Sequence, residues 1–174
     1  ALIAVGAFIR IPIPVVPFTL QVLFTSLAGM LLGPWMGLVS VLVYIGVGLA
    51  GVPIFTSGGG IGYVLHPNFG YLIGFAAGTW FTGWLVYRSR KSPPSLSRLV
   101  ISCYAGLGIV YLFGAVYFYL ISNFYLQNPM GVWPALLSCV ILVAPGNMAC
   151  CFGGCLLAKR LIPILRKERQ SHAI

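Results

Sequence analysis

The side chains able to do chemistry are few, and they sit in a chain that is otherwise apolar. Arg10, Thr19, Gln21, Thr56, Ser57, Tyr63, His66, Asn68 and Tyr71 gather in the first half, and Asn147 stands alone far downstream. Apart from Arg10 these are hydrogen-bonding groups without a fixed charge, suited to holding a small polar molecule rather than transforming it. Glu168 is the only acid in 174 residues, so no intramembrane carboxylate is available for a proton relay, a divalent-metal cage or an acid and base pair. His66 and His172 are the only imidazoles, and a hydrolase triad built on either would lack its acid. Cysteines 103, 139, 150, 151 and 155 lie in apolar segments with no carboxylate or histidine beside them and read as packing residues rather than metal ligands. Gly46-Val-Gly-Leu-Ala-Gly51 matches the dinucleotide fingerprint in spacing alone, because it runs into Pro53 and no acid follows it. The chain therefore reads as a non-enzyme that carries neither metal nor cofactor.

The densest polar stretch is Thr56 to Phe75, TSGGGIGYVLHPNFGYLIGF. Glycines 58 to 60 leave backbone N–H and C=O groups unshielded, and Pro67 suits the first turn of a helix. A helix starting there is expected to point unpaired N–H donors at the outer side, where they favour an anion such as a carboxylate. Arg10 admits two readings, a helix-end anchor that snorkels to the interface or a partner for an anionic ligand. Ala144-Pro-Gly-Asn147 interrupts the last apolar run: Pro145 removes an N–H and frees the carbonyl of Ile141. At 1.5 Å per residue this break lies about 16 to 18 Å from the start of its helix, so Asn147 is expected deep in the membrane, either bonding a ligand or bonding another helix.

The elements that must position these groups are membrane helices. With 60% hydrophobic and 6% charged residues and a mean hydropathy of +1.02, the chain has more apolar surface than a soluble domain of this length can bury. Six spans are expected, near 1–9, 18–32, 36–53, 68–87, 98–122 and 133–160, in a single all-α bundle over residues 1–174 whose first helix is truncated at its N-terminus. Proline and glycine clusters punctuate them at 11–17, 33–34, 52–60, 92–94 and 128–134. Nine of the ten cations fall between Arg88 and Arg98 or between Lys159 and Arg169. Such clusters mark cytoplasmic loops, which makes this a multi-pass protein of the cytoplasmic membrane with both termini inside and the loops 10–17, 53–67 and 123–132 outside. The charges form no basic helix face, so the net charge of +9 does not point to nucleic acid. Gly70, Gly74, Gly78 and Thr82 in one span, Gly146, Cys150, Gly154 and Ala158 in another, and Gly29 and Gly33 in a third form small-residue ridges that let helices approach closely in lipid.

The segment IPIPVVPFTLQVLFTSLAGMLLGPWMGLVSVLVYIGVGLAGVPIF, followed by GGG, HPNFGYLIGF and a late PGN, resembles the BioY family, the biotin-specific S components of energy-coupling factor transporters. The resemblance covers nearly the whole chain and implies a six-helix protein that binds the vitamin from outside, alone or with a transmembrane coupling subunit and two cytoplasmic ATPases. Family members usually carry PGD, two further residues and Lys in the last helix, and those Asp and Lys side chains hold the ureido ring. The corresponding positions here are Asn147 and Cys150. A carboxamide still offers an acceptor and a donor to a cyclic urea; lipoate, a related acid with an apolar ring, is the alternative ligand, and a passive channel the alternative function. The expected substrate site comprises Arg10, Gln21, Gly58, Tyr63, Asn68, Tyr71, Asn147 and Cys150, with the carboxylate toward Arg10 and the ring toward Asn147.

Overall fold

The computed structural model describes residues 1–11, 18–88, 94–126 and 131–171, without the side chains of 11 and 166–171. Most of the first proline cluster, Arg90, Lys91, Pro93, Asn128 to Met130 and His172 lie outside the described residues. The elements run α1 (Leu2–Phe8), β1 (Arg10–Ile11), β2 (Phe18–Thr19), α2 (Gln21–Leu32), α3 (Pro34–Leu49), α4 (Phe69–Tyr87), α5 (Leu96–Leu120), α6 (Val132–Leu136) and α7 (Ala144–Ser171). Counting α6 and α7 as one interrupted helix, the bundle has six members.

Three of them are long and apolar enough to cross a membrane: Phe69–Tyr87, Leu96–Tyr125 and Val132–Leu165. The second and third helices of the bundle, α2 and α3, are shorter than the sequence suggests. Helices α2 and α3 have 12 and 16 residues, about 18 and 24 Å, against a hydrocarbon core of about 30 Å. At the start of α2, Phe18 and Thr19 are taken up by an antiparallel ribbon that pairs Arg10 with Thr19 and Ile11 with Phe18. Proline disfavours helix in the residue before it, which suits Ile11, next to Pro12, to a strand. Gly33 (φ +87°) ends α2, and Pro34 opens α3 at once.

Helix α4 is the central element and packs on α2, α3 and α5. Its glycine ridge is the α4–α5 contact: a Cβ on Gly74 would stand 2.9 Å from the Cα and O of Val110, and one on Gly78 would stand 2.7 Å from the O of Gly106. Gly29 of α2 approaches the carbonyl of Thr79 in the same way, with 2.5 Å left for a Cβ. The second ridge faces α2 and the ribbon, where Gly146 seats the ring of Phe18 and Gly154 meets Leu23. Cys103, Cys139, Cys151 and Cys155 are fully buried, and Cys150 is half-buried. At the end of the bundle that holds Arg88, Trp35 packs edge-on against Trp80, Trp80 stacks on Trp84, and the Arg88 guanidinium lies 4.8 Å over the Trp84 ring.

Candidate site between the helix break and the outer loop

Two irregularities build the site. The first is the break in the last helix. Leu137–Ile141 winds as a single π-helical turn, in which Leu142 N–H donates to the O of Leu137 at 3.1 Å, and α7 restarts at Ala144 directly before Pro145. The proline that cannot donate to Ile141 is thus placed in a first helical turn, where a missing N–H costs nothing. Tyr71 of α4 donates its hydroxyl to the carbonyl of Cys139 at 2.8 Å, which satisfies a backbone acceptor in the distorted turn. Asn147, one residue past Gly146, is 6% exposed. Its Nδ2 donates to the hydroxyl of Tyr111 on α5 at 2.9 Å, and its Oδ1 is buried without a partner.

The second irregularity is the segment from Pro53 to Asn68. Phe55 and Gly58 pair through two backbone hydrogen bonds around Thr56-Ser57, and Gly58 and Gly60 adopt φ of +115° and +99°, values that other residues reach only with strain. Gly59 lies so close to α3's end that a Cβ would stand 2.2 Å from the O of Val52. The three glycines therefore make a folded strap. A 3-10 turn, Ile61–Leu65, follows and leads into α4. Tyr63 packs on Phe55, and its hydroxyl lies 3.0 Å from Thr56 Oγ1. Burial pushes the Tyr63 phenol above its ordinary pKa and the His66 imidazole below its own.

Between these features lies a cavity of about 40 Å³ lined by Thr19, Gln21 and Val22 of the ribbon and α2, Thr56 and Tyr63 of the strap, Asn68, Tyr71, Leu72 and Phe75 at the start of α4, Val110 and Tyr111 of α5, and Val143 and Asn147 at the break. Gln21 donates from Nε2 to the hydroxyl of Tyr44 at 2.8 Å, and Tyr44 donates to the carbonyl of Ile54 at 2.9 Å, which ties α2, α3 and the strap together. Asn68 precedes α4 but makes no side-chain cap; its Oδ1 is the second buried acceptor without a partner. Both such acceptors found among the described residues line this one cavity. Buried polar atoms are nearly always paired, so two lone carboxamide oxygens on residues that line one cavity are suited to a guest that carries N–H donors.

Of the candidate residues, Gln21, Tyr63, Asn68, Tyr71 and Asn147 line the cavity. Arg10 does not: it is exposed, and its guanidinium donates to the carbonyl of Thr56 above the cavity, in an open groove shared with Gly58 and Pro53. Gly58 belongs to that groove and shapes the strap. Cys150 faces another groove, with Leu23, Gly153 and Arg160, because three residues along a helix turn it about 60° away from Asn147 and its side chain is short. The start of α4 also differs from expectation. The N–H groups of Asn68, Phe69 and Tyr71 are taken by His66 Nδ1, His66 O and Asn68 O, so these three are not held out toward an anion. Tyr111 is a lining residue that sequence reasoning missed; only its contact with Asn147 distinguishes it from the other tyrosines of α5.

Fold and cavity together define an all-α integral membrane protein with an internal cavity lined by polar side chains. The profile of the BioY family matches residues 1–167, and the chain belongs to that family. A probable biotin transporter BioY of Lysinibacillus sphaericus is 43% identical over 169 residues, 97% of this chain and 85% of the relative. The biotin transporter BioY of Thermotoga maritima is 39% identical over 129 residues, 74% of this chain and 72% of its own. The crystal structure of the S-component for biotin from an ECF-type ABC transporter superposes with a TM-score of 0.76 at 27% identity, covering 92% of this chain and 84% of that one.

Proposed function

We propose that this chain is the S component of an energy-coupling factor transporter and that it binds biotin in the cavity between Asn68 and Asn147. The observation that carries the reading is the pair of unpartnered carboxamide oxygens. Biotin's ureido ring offers two N–H donors, whereas the dithiolane of lipoate offers none and would leave both oxygens unpaired, at about 1–3 kcal/mol for each buried unpaired group. The biotin-transporter names of the relatives support the same choice. The chain performs no chemical step; a transmembrane coupling subunit and two cytoplasmic ATPases supply the energy.

Small-molecule sites enclose about 300–1,000 Å³, while the cavity holds about 40 Å³, room for about three waters. Binding therefore parts the walls. The strap is the wall that moves: one backbone bond, from Gly60 N–H to the carbonyl of Gly48, ties it to α3, and side chains supply other ties, Arg10 to the carbonyl of Thr56, Thr56 to Tyr63, and Tyr117 to the carbonyl of Val64. The ring enters toward Asn147, and the carboxylate stays beneath Arg10.

Calorimetric titration tests this reading. The wild-type chain is expected to bind biotin one to one and more tightly than lipoate. Arg10→Ala is expected to weaken biotin by about 10- to 150-fold, from about 1.5 to 3 kcal/mol for a hydrogen bond to a charged group, and to weaken the neutral biotin amide much less. Equal losses for acid and amide would make Arg10 a clasp for the strap alone, and an absence of biotin binding would reject the function.

Both termini face the cytoplasm in this reading. The cationic segments around Arg88 to Arg98 and beyond Lys159 support it. A thiol introduced as Ser92→Cys is expected to react with an impermeant reagent only from the cytoplasmic side; labelling from outside would invert the topology.

A further inference from the structure

His66 and His172 are the only imidazoles of the chain, and Glu168 is its only carboxylate. His66 touches two residues that line the cavity. Its ring stacks on Tyr63, with 4.9 Å between centroids and 13° between planes, and its Nδ1 accepts the backbone N–H of Asn68 at 3.2 Å. An accepting Nδ1 fixes the neutral tautomer with its proton on Nε2. A second proton would turn Nδ1 into a donor set against another donor. Among the described residues the surroundings offer that charge an aromatic face, Tyr63, but no carboxylate to pair with. The turn packs on α3 and α4, which bring Tyr44 and Tyr71; Tyr63 lies in the turn itself, Tyr117 of α5 reaches it through Val64, and Arg10 bonds the strap at Thr56. These are phenols and a guanidinium, with no acid among them.

We propose that His66 is a positioning residue of the site: as a neutral imidazole it holds Asn68 and Tyr63 against the cavity, and its protonation releases them, so that ligand binding weakens as the outer medium turns acidic. This rests on the reading of the cavity as the biotin site. Burial lowers the pKa of His66 in the folded chain. The stabilisation it provides is therefore complete above about pH 6.5, the ordinary imidazole value, and is lost as the pH falls through the lower value of the folded state.

The test is biotin titration of the wild-type chain and of His66→Asn, whose Oδ1 takes the place of Nδ1, at about pH 7.5 and 5.5. The carboxylate of biotin stays ionised over this interval, an aliphatic carboxyl titrating near about 4.3. The dissociation constant of the wild type is expected to rise about 2- to 5-fold on acidification, less than the roughly tenfold that one group titrating at the ordinary imidazole value would give, and that of His66→Asn to stay level. A level wild-type profile, or an unchanged slope in the variant, overturns the proposal. Hydrogen exchange without ligand separates this failure from that of the biotin reading. Corrected for intrinsic rates, residues 56–68 are expected to lose protection at the lower pH in the wild type and not in the variant, whether or not biotin binds; equal protection at both pH values rejects the role of His66. Should His66→Asn not fold, His172→Ala leaves His66 as the single imidazole. Its titration by nuclear magnetic resonance is expected to move to lower pH when biotin is added, and an unmoved or raised pKa has the same overturning force.

Discussion

Asn147→Ala is expected to weaken biotin binding by about 5- to 150-fold while leaving lipoate nearly unaffected. Asn147 lines the cavity, is 6% exposed, spends its Nδ2 on the Tyr111 hydroxyl and leaves its buried Oδ1 without a partner. A ureido N–H buried there loses its acceptor when the side chain is cut back, and a buried donor without a partner costs about 1 to 3 kcal/mol, which converts to the stated range at about 1.4 kcal/mol per decade. Tyr111→Phe gives a second view of the same contact. It removes the partner of Nδ2 and lets the carboxamide turn, so its effect on biotin should be in the same direction and not additive with that of Asn147→Ala. Calorimetry on the wild type, both single variants and the double variant measures the coupling. An unchanged biotin affinity in Asn147→Ala, or an equal loss for lipoate, would remove the ring from this end of the cavity.

Asn147 could be found from sequence because proline and a carboxamide inside an apolar run are both conspicuous there. Tyr111 could not. In a soluble helix the alternation of polar and apolar residues shows which face is buried, but a membrane helix is apolar toward lipid as well as toward its neighbours, and α5 presents Tyr104, Tyr111, Tyr117 and Tyr119 without such a frame. The same silence blurs helix ends: Phe18, Thr19 and Val52 are as suited to a span as to the ribbon and strap they join, and α2 and α3 came out shorter than expected. In the sequence the glycine run stands out for its unshielded backbone; φ values of +115° and +99° at Gly58 and Gly60 show that it also folds the strap. Residues that meet through space, such as Arg10 with Thr56, leave no periodic trace at all.

The small-residue ridge on α4 is the feature the sequence conveyed most directly, and it carries the other large expected effect. Gly74→Leu should destabilise the bundle by about 3 kcal/mol or more, at or beyond the upper end of the usual cost of overpacking. The reason is the identity of the atoms that a new Cβ would meet. At Gly74 they are the Cα and O of Val110, both at 2.9 Å, and backbone cannot rotate aside as a side-chain tip can. Helices α4 and α5 would have to separate, which moves Tyr71 and Phe75 on one side and Val110 and Tyr111 on the other, all of them cavity walls. Loss of fold and loss of the site are therefore expected together. Gly108 on α5 supplies the contrast: a Cβ there meets nothing within 4 Å, so Gly108→Leu should be neutral or stabilising by up to about 0.8 kcal/mol as a helix-breaking glycine is removed. Thermal unfolding of the two variants in one detergent decides the matter. If Gly74→Leu melts with the wild type and still binds biotin, the close approach of α4 to α5 is not what holds the cavity in shape.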